Sequence, residues 1–305
     1  MRQKIIVFFI TLVLFLTSYP QQNEKDGIKT GEDKIISSEK KTLQVNLLKN
    51  DNIVKLDLED YIVGVVACEM PASFNIEALK AMSVAARTYA MYKMNGKKAY
   101  DLTATTKDQC YITNDEMKAK WKNNYNKYYN IIKNAVNETD GEYMTYKDKV
   151  IIAFYFSISN GYTENSEHVF SQKLDYLKSV DSSWDSKYSY KESTKKFTVK
   201  EFLNKLGIKD ETINNIDIKK YSTGRVNTIK INNKSFKGTK FRTLLSLRST
   251  DFEIKYDKDN VVIKTKGYGH GVGMSQYGAN AMASKGYNYE EILKYYYTGV
   301  NLVHN

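Results

Sequence analysis

With 305 residues, 42% of them hydrophobic, the chain is long enough for one large domain or two small ones and apolar enough to bury a core, which excludes a disordered stalk. Two prolines exclude a polyproline scaffold, and two cysteines, Cys68 and Cys110, exclude a disulfide framework; they form one bridge or stand as two thiols. The net charge of +11, behind the leader described next, points to an anionic wall or lipid surface rather than nucleic acid.

Arg2 and Lys4 precede an apolar run, Ile5 to Leu16, broken only by Thr11. A basic lead before a short apolar stretch is an export signal or a short anchor. As a helix the run rises about 18 Å, short of the ~30 Å hydrocarbon core unless Thr17, Ser18 and Tyr19 join it. No A-x-A site follows, so residues 1–20 read as an uncleaved anchor in the cell membrane with the bulk of the chain on the wall side. A cleaved signal peptide is the alternative. Residues 21–41 are polar and without apolar periodicity, which is the composition of a tether.

The folded part opens near Thr42. Leu43, Val45 and Leu47 alternate, as do Val54, Leu56 and Leu58, across Asn50-Asp51-Asn52, which predicts a hairpin. A short helix follows from Asp60 to about Glu69 and stops at Pro71. A second has Asn75 as cap, an apolar stripe Ile76, Leu79, Met82, Ala86, Tyr89, and Gly96 as stop. A third helix is expected from about Asp115 to Val136, and a hairpin over Tyr143 to Phe156 turning at Lys147-Asp148. From about 185 to 265 the pattern is mixed: helices over Phe197–Leu206 and Thr239–Leu247, strands over Val226–Ile231 and Val261–Thr265. The chain closes with a glycine-rich turn and helices over Met274–Lys285 and Tyr289–Tyr297. The fold class is α+β, mixed helices and antiparallel hairpins, with one domain over 42–300 and an inserted or second smaller α+β subdomain over 185–265.

Three segments carry candidate chemistry. In DYIVGVVACEMPASF, Glu69 ends a short apolar helix. A carboxyl in apolar surroundings holds its proton toward neutrality, as a general acid must, although most such glutamates are solvated helix ends. In FYFSISNGYTENSE, an apolar strand runs into Ser159, Asn160, Gly161 and Thr163, a loop able to face a ligand or an ordinary polar turn. In GYGHGVGMSQYGANAMASKG, glycines at 267, 269, 271 and 273 hold His270 in a tight loop before Gln276. Neither G-x-G-x-x-G nor a Walker-type Lys-Ser/Thr is present, so a nucleotide loop is not expected, and without H-E-x-x-H or paired C-x-x-C no metal or other cofactor is assigned. A Cys110–His270 thiol hydrolase stands as a rival, weakened by the lack of a helix start to depress the thiol's pKa.

In this order and spacing, YIVGVVACEMPASF with EALKAMSVAARTYA, FYFSISNGYTENSE and GYGHGVGMSQYGANAMA resemble the stage II sporulation protein D family, from about Val45 to Val300. The resemblance implies a membrane-anchored lytic transglycosylase that cleaves peptidoglycan glycan strands during engulfment of the forespore. Its implied partners are the stage II sporulation proteins P, an amidase, and M, a membrane scaffold. The family's glutamate falls on Glu69 as catalytic acid. Its A-R-T-Y motif falls on Ala86 to Tyr89, its small-residue loop on Ser157 to Thr163 with Asn160 where glycine is usual, and its G-H-G-x-G-M-S-Q motif on Gly269 to Gln276. Arg87, Ser159, Asn160, Thr163, His270 and Gln276 are then the expected substrate-binding residues. Wider relatives enhance amidases, so a non-catalytic peptidoglycan-binding module is the alternative.

Overall fold

A computed structural model describes residues 42–94, 99–188 and 192–304. The anchor and tether expected over 1–41 and the helix stop at Gly96 lie outside them. Among the described residues no helix is long and apolar enough to cross a membrane.

β1 (Gln44–Lys49) and β2 (Asn52–Asp57) pair antiparallel, Leu47 opposite Val54. Asn50 and Asp51 both take positive φ between them, the conformation that suits Asn and Asp in a two-residue hairpin turn. Asp57 caps α1 (Leu58–Glu69), its side chain accepting from the Glu59 amide. Pro71 ends α1: Met70 is forced into an extended conformation at ψ 146°. Asn75 then accepts from the Glu77 amide and starts α2 (Ile76–Met94). Ala78, Ala81, Ala85, Ala86 and Ala90 are all buried on α2, and their small side chains let other helices approach closely. β3 (Leu102–Thr103) adds to β1 in parallel.

The single helix expected over 115–136 is two, α3 (Asn114–Trp121) and α4 (Tyr125–Asn137), split at Lys122, whose φ is +48°. The break rotates the second helix relative to the first, and Trp121 and Tyr128 fold edge to face across it at 5.8 Å. β4 (Glu142–Tyr146) and β5 (Lys149–Val150) form the expected turn at Lys147-Asp148. The ladder ends there, however, and β6 (Tyr155–Phe156) belongs elsewhere in the fold. After α5 (Ser166–Phe170) and a 3-10 turn (Ser183–Lys187) the chain enters a second core.

That core comprises β7 (Glu192–Thr198), α6 (Val199–Leu206), β8 (Ile216–Lys220), β9 (Val226–Ile231), β10 (Lys234–Lys237), α7 (Gly238–Leu244), β11 (Asp251–Tyr256) and β12 (Asn260–Lys266). They form two three-stranded antiparallel sheets, β10-β9-β8 and β11-β12-β7. Between the sheets and helices lie Phe202, Ile229, Phe241, Phe252 and Ile263, separate from the main core. The chain returns through β13 (Met274–Ser275), α8 (Gln276–Ala283), α9 (Tyr289–Tyr296) and β14 (Asn301–His304). Mixed helices and mainly antiparallel sheets make this an α+β fold. The main core gathers around α2, with Leu79, Met82, Val84, Ile132, Met144, Ile292 and Leu293 buried together.

β13 pairs in parallel with β6, Met274 beside Tyr155. Gly273 makes that approach feasible: a Cβ there would sit 1.9 Å from the Phe154 carbonyl oxygen, at a φ of +78°. Gly273→Ala is therefore expected to cost at least about 2 kcal/mol from backbone strain and displacement of β13, read as a lower denaturant midpoint.

Candidate active site

Two distant segments converge on the end of α1. Gly64 lies one face up the helix, and a Cβ on it would strike the Tyr111 ring at 2.2 Å and the Ile112 carbonyl at 2.8 Å. Its absence lets residues 110–112 cross the helix closely, with the Ile112 amide bonded to the Gly64 carbonyl. The crossing brings the Cys110 N–H to Glu69 Oε1 at 2.9 Å. From the other side comes the start of α8, where Ser275 accepts from the Gly278 amide and donates to Asp185 Oδ2. Gln276, thus fixed at the first turn, donates from Nε2 to Glu69 Oε2 at 3.2 Å.

Each oxygen of the carboxyl has one donor, and both bonds favour the charged form. Burial opposes them and prevails, so the Glu69 pKa is raised above the ordinary glutamate value. The group holds its proton more tightly than a surface glutamate yet has donors ready for the carboxylate. An acid that must later act as a base needs both.

Glu69 lines a cleft of about 440 Å³. Its walls include Phe74, Lys120, Trp121, Tyr128, Ser157 and Tyr277. Phe74 meets Tyr277 edge to face at 5.1 Å, and Lys120 donates to the Ala67 carbonyl at the end of α1, its pKa lowered by burial. Glu69 is the one carboxylate among the described residues that line the cleft. Behind it, Gln109 takes a hydrogen bond from the Tyr61 hydroxyl and donates to the Tyr155 hydroxyl and the Ala86 carbonyl. Burial first, with the charge of Glu69 adding, pushes both tyrosines up, so these hydroxyls stay protonated.

The family described as SpoIID, stage II sporulation protein, matches residues 48–146. Stage II sporulation protein D of Bacillus subtilis is 42% identical over 83% of this chain and 76% of that protein. Its counterpart in Bacillus amyloliquefaciens is 37% identical over 98% of this chain and 92% of that one. The chain belongs to the stage II sporulation protein D family. The amidase enhancer of Bacillus subtilis is a further relative, 34% identical over 78% of this chain but only 40% of its own length. Membership ties the chain to sporulation.

The residues singled out in the family's segments part company in space. Glu69 and Gln276 meet, 207 positions apart. Arg87 is fully buried and paired through Nε and Nη2 with Glu59, its Nη1 bonded to the Glu142 carbonyl. Ser159 Oγ donates to the Ser182 carbonyl, and Thr163 Oγ1 accepts from the Val180 amide. Asn160 donates to the Thr223 carbonyl and to Asp251, fastening the second core to this loop. None of these four side chains lines the cleft, and of the loop only Ser157 does. His270 faces a separate cavity of about 120 Å³ with Tyr89 and Phe170. The Val272 amide donates to its Nδ1, and burial, followed by Arg242 and Arg225, pushes its pKa down to about 3. It is a neutral ring packed among Phe154, Phe156 and Phe170.

Cys110 is joined to Cys68 in a disulfide, so the thiol that the rival hydrolase reading needs is absent. Lys120, Trp121 and Tyr128 carried no signal in sequence, because the break at Lys122, across which Trp121 meets Tyr128 beside the cleft, interrupts an otherwise helical pattern. Gln109 sits in an irregular segment with no motif at all.

Proposed function

We propose that the protein is a lytic transglycosylase that cleaves peptidoglycan glycan strands during sporulation, with Glu69 as its catalytic group. The observation that carries this reading is a lone carboxylate, its pKa raised by burial, on the wall of an aromatic-lined cleft. Hydrolytic glycosidases use two carboxylates. One suffices when the nucleophile belongs to the substrate. Glu69 donates its proton to the leaving glycosidic oxygen as the C1–O bond breaks. The carboxylate, held by Cys110 N–H and Gln276, then takes the proton of the muramic C6 hydroxyl as that oxygen bonds to C1. The product is a 1,6-anhydro-muramyl end, and no water is consumed. Phe74, Trp121, Tyr128 and Tyr277 offer faces for sugar rings, and Gln276 orients the acid.

In this reading residues 1–20 hold the enzyme to the cell membrane with its cleft toward the wall. The proposed partners are an amidase and a membrane scaffold, the stage II sporulation proteins P and M. Digestion of purified peptidoglycan tests the chemistry. Cleaved strands should carry ends that resist borohydride reduction; reducible ends would mean hydrolysis and sink the proposal. The 34% identity to an amidase enhancer favours a second reading, a module that holds glycan for a partner. Intact strands together with stimulation of an added amidase would establish it.

A further inference from the structure

The Cys68–Cys110 bridge joins the two pieces of chain that meet at the candidate acid. Cys68 immediately precedes Glu69 in the last turn of α1 and lines the cleft. Cys110 supplies the N–H that binds Glu69 Oε1. Residues 104–113 belong to no helix or strand. Their backbone is tied to the rest of the fold by Ala104 N–H to Leu48, by Ile112 N–H to Gly64 in a long bond at 3.3 Å, and at Thr113 by bonds to Glu116 and Met117. The Gln109 side chain is held by Tyr61, Ala86 and Tyr155. The sulfur link is the covalent tie nearest the donor.

We propose that the Cys68–Cys110 disulfide is a redox-sensitive positioning device that keeps the Cys110 N–H on the Glu69 carboxyl, and that its reduction releases that donor. The proposal rests on the reading of Glu69 as the acid only for its effect on rate. A small or protein dithiol is the co-reactant. One thiolate attacks a cysteine sulfur, the protein S–S bond breaks, and a mixed disulfide forms. The reductant's second thiol displaces the remaining cysteine. Two electrons and two protons pass to Cys68 and Cys110, which leave as thiols, and the reductant becomes the disulfide. Losing an N–H that favours the charged form raises the carboxyl's pKa further. It also lets the group wander from its working position, and small misplacements cost up to about 10²-fold in rate.

The full chain is compared oxidised, reduced with dithiothreitol until two thiols per chain are counted, and as the Cys68→Ser/Cys110→Ser variant. Glu69 is followed by side-chain carboxyl ¹³C NMR, assigned against Glu69→Gln. Reduction and the double substitution should each move its titration to higher pH, and reoxidation of the wild type should reverse it. Glycan cleavage should lose roughly tenfold in kcat with KM within about twofold. An unmoved titration in folded, reduced protein would overturn the proposal, leaving the bridge a plain staple. Unfolding upon reduction would overturn it too. If oxidised protein cuts no glycan while the titration still moves, the positioning stands and the acid assignment falls.

Discussion

Glu69→Gln is expected to lower glycan cleavage by about 10²–10⁴-fold, the usual worth of a general acid–base group. Glutamine keeps an oxygen for the Cys110 N–H, and the Gln276 amide can turn to meet the new NH₂, so the cleft keeps its shape and its hold on glycan. A pull-down on insoluble peptidoglycan should therefore retain the variant. Lost binding alongside lost cleavage would indicate a ruined cleft rather than a missing proton. Two pH effects follow from the raised pKa, and they separate catalysis from stability. The first step needs the protonated acid, so wild-type rate should fall as pH rises through the raised Glu69 pKa, later than for an ordinary glutamate. For stability, a folded-state pKa above the unfolded one gives a contribution fully present below about pH 4 and lost as pH rises through the folded value. Wild type thus carries the burden of a buried charge at neutral pH and the glutamine variant does not. The variant should melt above wild type at neutral pH, with the gap closing near pH 4. Equal melting at every pH would mean that the carboxyl is solvated in the folded state.

The gap between what the residues announced and where they went has a physical pattern. The β1–β2 turn was legible because Asn50 and Asp51 tolerate positive φ, and α2 was legible because its alanines and large apolar residues recur at helical spacing. β7, β8, β10 and β11 were not, since each sets lysine or other polar residues along an exposed face; β7 moreover pairs with the distant β12, whereas β8, β10 and β11 join strands next to them in sequence. At the site, Glu69 stood out as a carboxylate among apolar neighbours. Of its donors, the Cys110 backbone N–H has no side-chain signature; Gln276 was singled out in its motif as a substrate-binding residue, but its bond to Glu69 depends on the β13–β6 pairing, which the sequence does not show. His270, Ser159 and Thr163 drew notice because small and polar residues cluster there. That clustering serves close packing and backbone hydrogen bonds, a demand that sequence alone does not distinguish from ligand binding.

Arg87 is where the same ambiguity has its largest energetic consequence. The guanidinium is 1% exposed and engages Glu59 with two nitrogens while capping the Glu142 and Val136 carbonyls. It thereby links the start of α1, the end of α4 and the start of β4 across α2. Arg87→Met fills much of the volume but strands Glu59 and takes the guanidinium from the Glu142 carbonyl, while the Val136 carbonyl still accepts from Thr139. Glu59 retains 27% exposure and recovers some hydration. Removing one partner of a buried pair costs about 3–5 kcal/mol, so Tm should fall on the order of 10 °C for a domain of this size. Lysine should recover only part of the loss, because one ammonium cannot reproduce a two-nitrogen contact and reach the Glu142 carbonyl as well. A residue that holds glycan would give the opposite signature, a raised KM at nearly unchanged Tm. Calorimetry and kinetics on Arg87→Met and Arg87→Lys below their melting points decide between the two: a large drop in Tm with KM within about twofold assigns Arg87 to the frame.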